Sequence, residues 1–95
     1  MGASAARLAQ APVSVRPRCG GERIRIAQGG RTRTLKNLLQ EAGVAPWLRA
    51  RMPLLYCGEA LVWAPFAGVA AEFRAAPGER AWRFSWRPAR EFREH

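Results

Sequence analysis

Residues 34–62 read TLKNLLQEAGVAPWLRARMPLLYCGEALV, and the order of signals in them decides the fold. Leu35, Leu38, Leu39 and Ala42 fall at i, i+3, i+4 and i+7, the spacing of one buried helical face. Thr34 stands where a side-chain oxygen can cap the first turn, and Gly43 supplies a C-terminal stop. Pro46 suits the first position of a second, short helix that runs to Ala50 or Arg51 and ends before Pro53. Its inward anchors are expected to be Trp47 and Leu48, with Arg49 and Arg51 on the wet side. Leu54–Cys57 and Ala60–Trp63 then flank Gly58-Glu59, a hairpin signal with Gly at the first central position. Helix, short helix and hairpin in succession point to a small α+β domain built mainly of antiparallel β hairpins.

Upstream, Val13, Val15, Pro17 and Cys19 alternate with polar residues, as do Ile24 and Ile26, and both stretches have the period of a strand. Gly20-Gly21 between them fits a two-residue turn. That register sets Arg18 opposite Arg23 and Arg16 opposite Arg25, an arrangement unfavourable by up to about 1 kcal/mol per like-charge pair. Four arginines on one face suggest a polyanion that relieves the repulsion; the alternative is a solvated face whose side chains splay apart. Pro17 marks this strand as an edge or a bulge. Downstream, Val69–Phe73 reads as a strand and Pro77-Gly78 as a turn. In a last strand Trp82, Phe84 and Trp86 share one face, which we read as core in preference to a base-stacking platform. Residues 1–12, rich in Ala and ending at Pro12, read as a tail or linker remnant, and residues 89–95 as a charged tail.

The chain has 95 residues, enough for one small domain. Of its hydrophobic residues 18 are Ala, so the core must come from few large side chains. No apolar run reaches the length of a membrane span, and no signal-peptide pattern opens the chain. A soluble, cytoplasmic protein with reduced Cys19 and Cys57 is therefore expected, and neither cysteine belongs to a metal motif. Fifteen Arg and one Lys against seven Glu and no Asp give a net charge of +9. Residues 1–33 carry seven of the arginines and one Glu. Such clustered charge points to a nucleic-acid partner.

Catalytic chemistry finds little to work with. There is no Asp, and the one His is His95, so neither a Ser-His-Asp nor a Cys-His arrangement can be assembled. The stretch Gly29-Gly30-Arg31-Thr32-Arg33-Thr34 lacks the spacing of a P-loop. It does lead into a helix whose positive end lies close in sequence to Arg31, Arg33 and Lys36, a second candidate phosphate site beside Arg16, Arg18, Arg23 and Arg25.

From Val13 to Pro88 the sequence strongly resembles the C-terminal domain of bacterial tRNA(Ile)-lysidine synthetase. The resemblance is carried by Gly20-Gly21-Glu22-Arg23, Leu35-Lys36, Gln40-Glu41-Ala42-Gly43, Pro46-Trp47, Pro53-Leu54-Leu55-Tyr56, and the spacing of Trp82 and Trp86. The family has Ser where Thr34 stands, and an acidic pair where this chain has Glu59-Ala60. The resemblance implies a non-catalytic domain that helps to hold the tRNA body on its acceptor-stem side, while a separate catalytic domain, in cis or in trans, attaches lysine to the wobble cytidine. It implies no cofactor for this chain, since ATP belongs to the catalytic domain and its SGGxDS loop, a motif absent here. The alternative reading is a protein-interaction or dimerisation module without RNA binding.

Overall fold

The computed structural model describes residues 2–87. In chain order they form β1 (Ala3–Ser4), α1 (Ala5–Leu8), β2 (Val13–Pro17), β3 (Arg23–Ile24), β4 (Arg33–Thr34), α2 (Leu35–Glu41), α3 (Pro46–Arg49), β5 (Pro53–Cys57), β6 (Ala60–Ala64), β7 (Gly68–Val69), a 3-10 turn (Ala71–Phe73) and β8 (Ala81–Trp82). The architecture is α+β, with an antiparallel four-stranded sheet in the order β2-β5-β6-β7 and two short strand pairs, β1-β8 and β3-β4.

The deciding stretch folds largely as its pattern dictates. Thr34 is extended, and its Oγ1 accepts the amide of Asn37 at 3.3 Å. Leu35 and Leu39 are fully buried. At the far end Gly43 takes φ 75°, the amide of Val44 reaches the carbonyl of Leu39 and that of Gly43 the carbonyl of Gln40. These two bonds are a Schellman cap, which needs the left-handed residue that glycine supplies most cheaply. The helix has only two turns, so Ala42 falls on the cap and stays exposed; Val44, folded back by the cap, takes the core place expected for it. In α3 Pro46 opens the helix as expected, but a single turn brings only one of the two apolar side chains against the core. Leu48 packs on the core, whereas Trp47 points to solvent with 66% of its surface exposed.

The hairpin at Gly58-Glu59 closes between Cys57 and Ala60, and Gly58 has φ 60°. A register shift at Leu55/Tyr56 bends β5 against β6. Ile24, Leu35, Leu39, Val44, Met52, Leu54, Ala64 and Ala70 form the main core, and Ala3, Leu8, Cys57, Val62 and Val69 a smaller one beside it. Cys19 and Cys57 are both free thiols.

Four expectations are corrected. The first concerns the hairpin about Gly20-Gly21: β2 pairs with β5, and β3 with β4. Gly20 and Gly21 do take positive φ, but the Glu22 carboxylate gathers the amides of Cys19 and Gly20 into a wider loop that carries the chain away. Against β5, Pro17 lies opposite Pro53, so two residues without an N–H share one non-bonded position and no ladder bond is lost.

The second is the N-terminal tail. Ala3 and Ser4 are fully buried, β1 pairs with β8, the amide of Ala75 reaches the Gly2 carbonyl, and Ser4 both caps α1 and hydrogen-bonds to Glu79. The packing is close enough that a Cβ on Gly2 would lie 2.8 Å from Ala81 Cβ. Third, the strand expected over Val69–Phe73 stops at Val69, because the amide of Ala71 turns to the Arg25 carbonyl at 2.6 Å and a 3-10 turn follows. Fourth, the aromatic row is not a buried strand face. Strand β8 ends at Trp82, which is 61% exposed; Phe84 and Trp86 are half-buried against Trp63 and Phe66. The turn at Pro77-Gly78 forms, with Gly78 at φ 81° and the amide of Glu79 on the Ala76 carbonyl. The charged tail assigned to residues 89–95 lies outside the described residues.

Candidate nucleic-acid interface

The seven cationic residues singled out in the sequence do not form the two sites expected of them. With β2 on β5 and β3 on β4, Arg16 and Arg18 are separated from Arg23 and Arg25, and the four-arginine face does not exist. Arg16 lies 4.4 Å over the Tyr56 ring, donates to the Gly58 carbonyl at 3.0 Å and pairs with Glu59 at 3.3 Å. The Glu59 hydrogen bond raises the guanidinium's pKa further, and burial pushes the Tyr56 hydroxyl above its ordinary range. Arg18 is drawn inward, its Nε 3.8 Å from the almost fully buried Glu22 carboxylate and its head group on the Arg49 carbonyl at 3.5 Å. Arg25 is half-buried and reaches only the Ala27 carbonyl, at 3.4 Å.

The start of α2 is also less open than its sequence implies. The amide of Leu35 is taken by the Glu22 carbonyl at 2.9 Å and that of Asn37 by Thr34. Two of the helix's first donors are therefore satisfied within the fold. Arg33 makes a two-point ion pair with Glu41, which holds that carboxyl below the usual carboxylate range. Lys36 is exposed on the helix.

What the fold does bring together is a groove of about 340 Å³ lined by Arg23, Arg31, Thr32, Arg33, Thr34 and Asn37. Pairing of β3 with β4 sets Arg23 directly across from Thr34, and the loop before β4 delivers Arg31 and Thr32 to the same wall. One arginine from each proposed site and a second from the helix start thus share a surface. Arg23 and Arg31 are exposed. Among the described residues, only Arg33 of the three guanidiniums has a carboxylate partner, which leaves the charges of Arg23 and Arg31 beside two hydroxyls and an amide. Such a donor-rich concavity suits a phosphodiester, whose oxygens only accept. Thr32 and Asn37 escape sequence reading: each is an ordinary polar residue until β3-β4 pairing turns it toward the arginines. Among the described residues, no three His, Cys, Asp or Glu side chains gather as a metal site, and no helix is long and apolar enough to cross a membrane.

Architecture and groove together define a small basic α+β domain with an arginine-lined concavity. Comparison with known proteins makes the class specific: the family model of the TilS substrate C-terminal domain matches residues 13–86, and the chain belongs to that family. It is 49% identical over 84 residues to the tRNA(Ile)-lysidine synthase of Ralstonia nicotianae, covering 88% of this chain and 18% of that protein. Against the tRNA(Ile)-lysidine synthase of Azoarcus sp. the identity is 41% over 88 residues, or 93% of this chain and 20% of the relative. The chain therefore spans about a fifth of the length of these relatives. A crystal structure of a TilS C-terminal domain superposes with a TM-score of 0.68 at 26% identity, covering 85% of this chain and 65% of the other.

Proposed function

We propose that this chain holds tRNA for a tRNA(Ile)-lysidine synthase, gripping the phosphate backbone on the acceptor-stem side while a catalytic domain, in cis or in trans, performs the ATP-dependent attachment of lysine to the wobble cytidine. The observation that carries the reading is the groove in which Arg23 and Arg31 have no carboxylate partner among the described residues and stand beside Thr32, Thr34 and Asn37. Double-stranded RNA hides its base edges in a deep, narrow major groove, so proteins read it by shape, 2′-hydroxyls and phosphates. Arginine forks with neighbouring hydroxyl and amide donors fit that task without a base code. In this reading the chain is non-catalytic and needs no cofactor of its own.

Equilibrium binding of an isoleucine tRNA with a CAU anticodon, repeated from low to high salt, tests the proposal. Submicromolar binding that weakens steeply with salt is expected, because neutralised phosphates release counterions. A duplex copying only the acceptor stem should retain most of that affinity. Absence of tRNA binding at low salt would refute it.

A further inference from the structure

The aromatic side chains that the core leaves out are gathered along one segment. Residues 83–87 run on from β8 without regular structure, with Phe84 and Trp86 half-buried and Arg83, Ser85 and Arg87 exposed. Phe84 rests against Trp63 with ring centres 5.4 Å apart, and Trp86 and Phe66 meet edge to face at 6.4 Å. Two adjoining grooves share Trp63, Phe84, Ser85 and Trp86. One, of about 400 Å³, reaches Val15 and Arg83; the other, of about 390 Å³, reaches Pro65 and Phe66. Both fall in the size range of small-molecule sites. Phe66 is 55% exposed and, at φ 68°, is the one non-glycine residue with positive φ among the described residues. A bulky side chain in that region is strained, and strain of this kind persists where a ligand is clamped.

The charge of the grooves narrows what can fill them. No acidic residue lines either one, and Arg83 meets no carboxylate among the described residues. A second copy of this chain would bring a further net charge of +9 toward that guanidinium, and an apolar partner would cover it uncompensated. A nucleotide answers all three components at once. Its base stacks on an aromatic ring, the edge of the base meets the Ser85 hydroxyl, and its phosphate takes the arginine fork. The base must be unpaired, because only splayed-out bases at loops, bulges and ends offer their faces to aromatic side chains. We infer that the two grooves take the unpaired 3′ tail of the tRNA, which continues from the acceptor stem, one base against Trp63 and Phe84 and the next against Trp86 and Phe66. This rests on the tRNA reading above but uses no residue of the arginine groove.

The test compares binding of the full chain to an isoleucine tRNA with its complete 3′ tail and to the same tRNA trimmed back to the last base pair. Trimming should weaken binding about fivefold or more, the effect of one stacked base after the tail has been ordered. Phe66→Gly removes a ring while relieving its backbone, and Arg83→Gln removes a cation from an exposed position, so both variants should fold as the parent does. Each should weaken the complete tRNA about threefold or more and leave the trimmed one within about twofold. Equal binding of complete and trimmed tRNA by the parent would overturn the inference and leave the arginine groove as the interface. So would variants that weaken both forms alike. Variants that bind both forms as the parent does but change self-association on sizing would give the surface to a second copy instead. Failure of the parent to bind either form would remove the tRNA reading itself, and this inference with it.

Discussion

The arginines of β2 and its following loop and those of the β3-β4 groove look alike in sequence, yet the fold uses them in opposite ways. Arg16 and Arg18 each find a glutamate, Glu59 and Glu22, that is distant in sequence or turned in by a glycine loop. Arg23 and Arg31 find none among the described residues. The difference teaches that Glu22, Glu41 and Glu59, placed by the fold, decide which of the sequence-predicted arginines stay available. Charge density along the sequence cannot show this, because the pairing that matters comes from strand register.

The comparison breaks most visibly if the groove charges are reversed. Arg23→Glu with Arg31→Glu should lower tRNA affinity by about a hundredfold or more, since two charge-assisted contacts at roughly 1.5 kcal/mol or more each become repulsions. Gel-shift or anisotropy titration reads this directly, and a loss under threefold would move the interface elsewhere.

Arg18→Gln should do the reverse. It strips the Glu22 carboxylate of its cation in an almost closed site, at a stability cost of about 1–2 kcal/mol, or a melting temperature lower by roughly 5–15 °C in a domain of this size. Affinity for tRNA, measured well below the melting point, should stay within twofold. Thr34→Ala removes the cap of α2 without touching a charge and should cost about 1 kcal/mol, seen as an earlier urea midpoint with unchanged slope.

Glu41→Gln releases Arg33 into the groove and should raise tRNA affinity by about two- to threefold, with little change in melting temperature because the pair is exposed. The smallest effect is with pH. Glu41 and Glu79 are both held below the ordinary carboxylate range, the first by Arg33, the second by the Ser4 hydroxyl and then the Ala76 amide. A depressed pKa stabilises the fold above the unfolded value, and that share is lost as pH falls through the folded one. Melting temperature should therefore drop slightly from about pH 5 to about pH 3, and Glu41→Gln should remove part of the drop.

Much of this was legible in residues 34–62, where cap, apolar spacing, glycine stop and turn glycine agree with one another. The arrangement of β2 was not. Local alternation announces a strand but not its partner, and Gly20-Gly21 looks like a hairpin turn until Glu22 is seen to hold the loop open. The N-terminal segment is not legible in sequence because alanine-rich stretches carry little pattern: Ala3 and Ser4 are buried through their smallness and through Gly2, which lets two backbones meet. The aromatic row failed for a related reason. Alternation over Trp82, Phe84 and Trp86 implies one face, but their partners, Trp63 and Phe66, belong to β6 and the turn after it. For the interface, sequence supplied Arg23, Arg31 and Arg33 but split them between two sites; only the pairing of Arg23 with Thr34 joins them.

The most direct test sets two neutral double variants side by side: Arg23→Gln with Arg31→Gln, and Arg16→Gln with Arg18→Gln. For each, tRNA affinity is measured against salt from about 50 to about 300 mM at a temperature where both are folded. The groove pair should flatten the slope of log affinity on log salt by about two, one for each lost phosphate contact, and the β2 pair should leave it almost unchanged. Equal flattening by both, or flattening by the β2 pair alone, would contradict the assignment of the RNA-binding surface to the groove.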